Sequence, residues 1–213
     1  MNHPQKLALF DFDGTVCSGN TLHLFIARQA RGAEALRLGL WAVRRKLRLA
    51  GTRAFKEGVL RGLRGLTEAE VAERGRELYA AQVRPRLRPG ALRELAEVRA
   101  TGHRVMVVTG AFDFLIQPFC DEFAIADCLC CRLERSAGRV TGRIAGGEML
   151  GPDKPDAVRA HLGLESAIDW AGSRAYTDDW RDLPFLEMVG NRYLVGGTHP
   201  EAAAHRVVPL DWS

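Results

Sequence analysis

Four short clusters in this chain hold side-chain types that do chemistry. Asp11-Phe12-Asp13-Gly14-Thr15 sets two carboxylates two residues apart at the end of an apolar run. Thr109-Gly110-Ala111 closes a second such run, and Thr177-Asp178-Asp179-Trp180-Arg181-Asp182 a third. Between those two stands Lys154, just after Gly151-Pro152-Asp153. If the three runs are neighbouring strands, up to five carboxylates, a hydroxyl and an ammonium converge on one crevice. Buried negative charge at that density is severely unfavourable unless a cation neutralises it. Carboxylate and water oxygens favour Mg²⁺.

The elements that must position these groups are visible as changes of periodicity. Leu7 to Phe12 reads as a buried parallel strand followed by a tight turn at Gly14. From Thr21 to Ala81 apolar residues recur at helical spacing, as in Leu22, Phe25 and Ile26, Leu36, Leu40 and Val43, or Phe55, Val59 and Leu60. With a capping box at Thr67-Glu68-Ala69-Glu70, this stretch predicts about four helices and no strand. Beyond Pro89-Gly90 the pattern predicts a helix over 91–101, a strand over 104–108 and a helix over 112–122. A hairpin-like excursion over 128–133 and 140–144 follows, then a helix over 154–162, a strand over 174–176 and a helix over 183–189. Strands over 193–195 and 207–210 end the chain. The alternation predicts an α/β fold, a Rossmann-like doubly wound parallel sheet built from residues 1–16 and 89–213, with the helical residues 17–88 inserted after its first strand. Ligands of such sheets bind beyond the carboxyl ends of the strands.

At 213 residues, 46% hydrophobic and 26% charged, the composition suits one globular core with an insertion and excludes a disordered or fibrous chain. No apolar run reaches the roughly 18 residues of a membrane span. An odd count of five cysteines and the absence of a signal-peptide pattern predict a reduced, cytoplasmic protein. The net charge of +4 conceals an asymmetry. Residues 16–88 carry 16 Lys and Arg against 6 Asp and Glu, a net of +10, while the remainder carries −6. Such a field attracts anions, whether phosphorylated metabolites, nucleic acid or an anionic membrane surface.

In order and spacing, Asp11-Phe12-Asp13-Gly14-Thr15, Thr109, Lys154 and the Asp178…Asp182 pair resemble the four motifs of the haloacid dehalogenase superfamily. The helical insert and the wording Tyr176-Thr177-Asp178…Asp182-Leu183-Pro184 resemble its phosphoserine-phosphatase-like subgroup, over nearly the whole chain. The resemblance implies that the insert, residues 17–88, is a cap that selects substrate. It implies that Asp11 is the nucleophile that takes phosphorus, and that Asp13 protonates the leaving oxygen and then deprotonates water. Mg²⁺ would be held by Asp11, the backbone carbonyl of Asp13, and Asp178. Thr109, the Gly110 amide and Lys154 would hold the phosphoryl oxygens. Asp182 would either bind the metal through water or orient Lys154. The expected activity is Mg²⁺-dependent hydrolysis of a small phosphorylated metabolite. Phosphoserine phosphatase proper, a phosphotransferase and a non-catalytic phosphate-binding module are the alternatives.

Other features are read alongside. By the same resemblance a phosphoserine phosphatase has a Glu soon after the first motif, whereas this chain reads Cys17-Ser18-Gly19-Asn20-Thr21. Arg53 and Arg61 are the candidates to meet a substrate carboxylate. Asp179 faces solvent or adds to the metal site. Cys128-Leu129-Cys130-Cys131 lacks the second pair of a zinc knuckle and reads as buried strand. No two histidines have ligand spacing, so no histidine site is assigned. Trp41, Arg44, Arg45, Lys46 and Arg48 read as the solvated face of a helix, with no nucleic-acid partner expected.

Overall fold

All four residues of the first strand, β1 (Leu7–Phe10), are buried, which is the pattern of a strand covered on both faces. Leu7 and Leu9 belong to one apolar cluster, and Ala8 and Phe10 to the other. In the computed structural model, which describes residues 4–29, 51–163 and 167–212, β1 is the centre of a seven-stranded sheet. The other strands are β2 (Arg104–Phe112), β3 (Asp127–Ser136), β4 (Arg139–Ala145), β5 (Arg174–Thr177), β6 (Asn191–Val195) and β7 (Val207–Leu210). Their order is β4-β3-β2-β1-β5-β6-β7, and every neighbouring pair is parallel except β3 and β4.

Helices wrap both faces. Among the described residues, α1 (Thr21–Gln29), α2 (Thr52–Leu60) and α3 (Glu68–Leu78) lie between β1 and β2. Then come α4 (Pro89–Ala100), α5 (Asp113–Glu122), α6 (Asp153–Leu162) and the short α7 (Leu183–Leu186). Ala91, Leu95 and Val98 of α4 and Leu115, Ile116 and Phe119 of α5 join the cluster of Phe10; Val158 of α6 and Phe185 and Leu186 of α7 join that of Leu9. Burying each of the Leu, Ile, Val and Phe side chains among these contributes on the order of 1.5–3 kcal/mol. The α3 helix opens with the expected capping box, Glu70 N–H donating to Thr67 Oγ1 at 3.3 Å and Thr67 N–H to Glu70 Oε2 at 2.7 Å. It also lies hard on α5, since a Cβ on Gly75 would stand 1.9 Å from the Phe114 carbonyl oxygen.

Two elements depart from the sequence expectation. The excursion over 128–144 is a hairpin whose Ala137 and Gly138 both have positive φ, 48° and 72°, as a two-residue turn demands. Its first strand, however, is a full member of the sheet, paired with β2. The second departure is β2, which continues to Phe112 instead of stopping at Val108. Its register against β3 breaks between Val108 and Phe112, so Thr109-Gly110-Ala111 form a bulge that leaves the ladder. None of the helices among the described residues is long and apolar enough to cross a membrane. The basic run from Trp41 to Arg48 lies outside the described residues.

Candidate active site

Parallel register brings the chemistry together. Phe10 stands opposite Val107 of β2 and Tyr176 of β5, so the residues that follow all three emerge at one edge. Beneath them the Phe10 and Tyr176 rings stack at 4.5 Å, a rigid apolar floor. Above lies a cleft of about 600 Å³, lined among others by Asp11, Asp13, Thr109, Gly110, Lys154 and Asp178. That volume suits a small molecule.

Asp11 is 7% exposed; its Oδ1 accepts from the Phe12 amide at 2.7 Å and lies 3.1 Å from Lys154 Nζ. Burial pushes its carboxyl up to about 6, against the pull of the Lys154 ammonium. Lys154, the second residue of α6 and 2% exposed, is held between Asp11 and Asp182, whose Oδ2 accepts from Nζ at 2.5 Å. Burial opposes its charge, but the two carboxylates more than offset this and raise its ionisation above the ordinary lysine value. Asp182 also accepts from Thr177 Oγ1 at 3.0 Å and from the Gly151 amide at 3.1 Å. Asp182 thus contacts Lys154 directly.

Asp13 leaves the same turn in another direction. Its carboxylate accepts from the Thr21 amide at 2.9 Å and from Thr21 Oγ1 at 3.1 Å, at the first turn of α1. Burial nonetheless pushes it up to about 7, with the Thr21 amide opposing. Asp178 accepts from Thr15 Oγ1 at 2.9 Å, and its own amide donates to the same oxygen at 2.9 Å. Its carboxyl is raised chiefly by burial. Gly14, at φ +83°, is forced by this approach, for a Cβ there would sit 2.0 Å from Asp178 Oδ2. Thr109 is fully buried, and its hydroxyl accepts from the Ala111 amide at 3.2 Å, so its hydrogen is the one to offer a ligand.

The donor set fits a hard divalent cation. Asp11, Asp13 and Asp178 all ionise above the ordinary carboxylate range, and each of Asp11 and Asp13 is raised in part by Asp178. A cation between them relieves that repulsion. Among the described residues no three acidic, His or Cys side chains already converge as a ready-made cluster. The Asp13 carboxylate itself is turned to Thr21.

Several roles lie elsewhere than the sequence suggested. Asp179 is an N-cap, accepting from the Arg181 amide at 2.9 Å and pairing with its guanidinium, which holds its carboxyl below the usual range. Arg53 donates to the Gly146 and Ile144 carbonyls at 2.8 and 2.7 Å and is not among the residues that line the cleft. In β3 Cys131 is buried and Cys128 and Cys130 are half-buried against the same apolar cluster, and all five cysteines are free thiols. Sequence reasoning missed Thr15, Thr21 and Lys56, the last a buried lysine of α2 that lines the cleft. Thr15 stood inside the first cluster, and its place beside two carboxylates was the available signal.

A family model described as haloacid dehalogenase-like hydrolase matches residues 8–187. The phosphoserine phosphatase SerB2 of Mycobacterium tuberculosis is 28% identical over 186 residues, 87% of this chain but 43% of that protein's length. The chain thus spans less than half of that curated relative. A crystal structure of a protein of unknown function from Bordetella pertussis superposes with a TM-score of 0.87 at 25% identity, covering 99% of this chain and all of that one. A phospho-aspartyl intermediate analogue of phosphoserine phosphatase superposes with a TM-score of 0.68 at 19% identity, covering 99% of this chain and 95% of the other, a likeness of fold.

Proposed function

Because the chain belongs to the haloacid dehalogenase-like hydrolases, we propose that it hydrolyses a small phosphomonoester through a phospho-aspartate on Asp11. The observation that carries this reading is the division of labour within one turn. Asp11 faces the Lys154 ammonium at 3.1 Å, while Asp13, two residues on, is turned to Thr21 and ionises at about 7. A carboxyl that gains and loses its proton near neutrality suits general acid–base work.

An Asp11 oxygen attacks phosphorus in line, and the bond from phosphorus to the alcohol oxygen breaks. Asp13 gives its proton to that leaving oxygen. Water then attacks the phosphorus, Asp13 takes its proton, and phosphate departs with Asp11 restored. Lys154, locked by Asp182, and the Thr109 hydroxyl with the Gly110 amide hold the non-reacting phosphoryl oxygens. Asp11, Asp178 and the Asp13 carbonyl would hold Mg²⁺, which would supply positive charge to offset repulsion between the nucleophile and a phosphate dianion. Residues 17–88 act as the cap over this crevice, contributing Leu22, Phe55 and Lys56 to its lining. The substrate is a small phosphorylated metabolite; Asn20 lines the cleft and Arg53 donates to backbone carbonyls, which weighs against phosphoserine, the alternative that the metabolite panel tests. The free thiols suit the reduced cytoplasm.

The test is hydrolysis of an activated aryl phosphate, alongside a panel of phosphorylated metabolites including phosphoserine, with Mg²⁺ and with chelator. Turnover that requires both Mg²⁺ and Asp11 supports the reading. Turnover that survives in Asp11→Asn defeats it.

A further inference from the structure

Lys56 is the buried cation that the proposed mechanism leaves unused. It belongs to α2, is 6% exposed, and inserts between β2, β3 and the loop that follows β4. Its Nζ donates to the Gly110 carbonyl at 3.2 Å and approaches Cys131 Sγ at 3.6 Å. Nζ also lies 3.7 Å from Glu148 Oε1 and 5.7 Å from the centre of the Phe112 ring. The Cys131 thiol in turn donates to the Glu148 carbonyl at 2.8 Å.

The contact with Gly110 matters because of where that carbonyl lies. Thr109-Gly110-Ala111 is the bulge where β2 leaves its ladder against β3, so its backbone groups lose sheet partners there. The peptide joining Gly110 to Ala111 is instead held at both ends. Its carbonyl accepts from Lys56, and its N–H donates to Thr109 Oγ1. The Glu148 oxygen nearest to Lys56 has no hydrogen-bond partner, so the pair is an electrostatic one at a distance where a direct hydrogen bond is not formed. A buried ammonium costs stability unless it is paired, and this one spends its best donor on the bulge.

Resting on the phosphoryl-transfer reading, we infer that Lys56 is a positioning residue: it fixes the Thr109-Gly110-Ala111 bulge in the form that receives the phosphoryl group, and so makes that receptor depend on the insert. It touches the receptor's backbone, and acts through Thr109 and Gly110. Misplacing a positioning group by about an ångström is enough to cost on the order of a hundredfold in rate.

The experiment is a double-mutant cycle in the full chain with Lys56→Met, Thr109→Val and both together. It reads orthovanadate affinity by calorimetry in Mg²⁺, aryl phosphate kinetics, and Tm. Lys56→Met should weaken vanadate and lower kcat by about ten- to a hundredfold, with KM within about threefold. The double variant should be no more than about threefold below Thr109→Val, because the two residues hold one peptide. Glu148→Gln, which leaves Lys56 in place without its counter-charge, should move vanadate affinity in the same direction by about threefold, and decides the matter if Lys56→Met does not fold. Wild-type vanadate affinity in Lys56→Met, fully multiplicative losses in the cycle, or a rate loss that disappears once each variant is assayed well below its Tm would overturn the inference. Vanadate binding without turnover in the wild type would defeat the phosphatase reading alone, and the cycle in vanadate affinity would still decide the role of Lys56. No vanadate binding by the wild type would defeat both.

Discussion

At the end of the sheet where β2 and β3 begin, Asp127 accepts from Arg104 at 2.6 and 2.7 Å and lies 2.8 Å from His161 Nε2. The Arg104 guanidinium holds its carboxyl below the usual range. At the other end, where β1 and β5 finish, burial pushes Asp11 up to about 6 and Asp13 up to about 7. The residue type is the same and the backbone it hangs from is one continuous sheet. What differs is how many carboxylates share a cation: the first end gives one carboxylate an arginine, while the second shares Lys154 between Asp11 and Asp182 with Asp13 and Asp178 nearby. One end is arranged for stability. The other tolerates unfavourable charge that a substrate and a cation can relieve.

Four changes sharpen this contrast. Asp11→Asn removes the nucleophile and part of the repulsion together, so turnover should fall by about a thousandfold or more while Tm holds or rises, measured by steady-state kinetics and calorimetry. Gly14→Ala adds a Cβ where Asp178 lies and strains a φ of +83°; activity should fall by about a hundredfold, with KM for Mg²⁺ raised.

The third change is pH. Asp11 and Asp13 ionise higher in the fold than the ordinary 3.8, so the folded protein binds more protons than the unfolded chain across that interval. Their stabilising contribution is present below about pH 4 and lost as pH rises through 6 and 7. Chelated protein should therefore lose several degrees of Tm to these two groups between about pH 4 and 8, and Asp13→Asn should flatten that fall. The smallest effect is at the opposite end. Asp127→Asn should cost about 1 kcal/mol at pH 7, roughly 2–4 °C in Tm. Because the Asp127 carboxyl is lowered, that difference should vanish as pH drops through its folded value.

Much of this organisation was legible in the residues. The buried run before Asp11, the alternation after Pro89 and the capping box at Thr67 all have local causes, and each became the element expected. What the sequence concealed rests on partners that leave no local pattern. The Asp13 carboxylate meets a backbone amide eight residues on, at Thr21, and any residue type there would carry that N–H. Lys56 meets the Gly110 carbonyl across 54 residues, and only the β2 bulge makes that carbonyl available. Arg53 was a candidate through the resemblance to a phosphoserine phosphatase cap, and nothing local in the sequence shows its contacts with the Gly146 and Ile144 carbonyls some ninety residues away. Asp179 was ambiguous for the opposite reason, since its neighbour Arg181 competes for it at a spacing too short to read as a pair.

The most direct measurement is to capture the covalent intermediate. Asp13→Asn protein, in which water attack is slowed, is mixed with a labelled aryl phosphate in Mg²⁺, quenched in acid and mapped by peptide. Label should appear on the peptide that contains Asp11 and be absent from Asp11→Asn. Label on any other residue, or an equal amount in Asp11→Asn, would contradict phosphoryl transfer through Asp11.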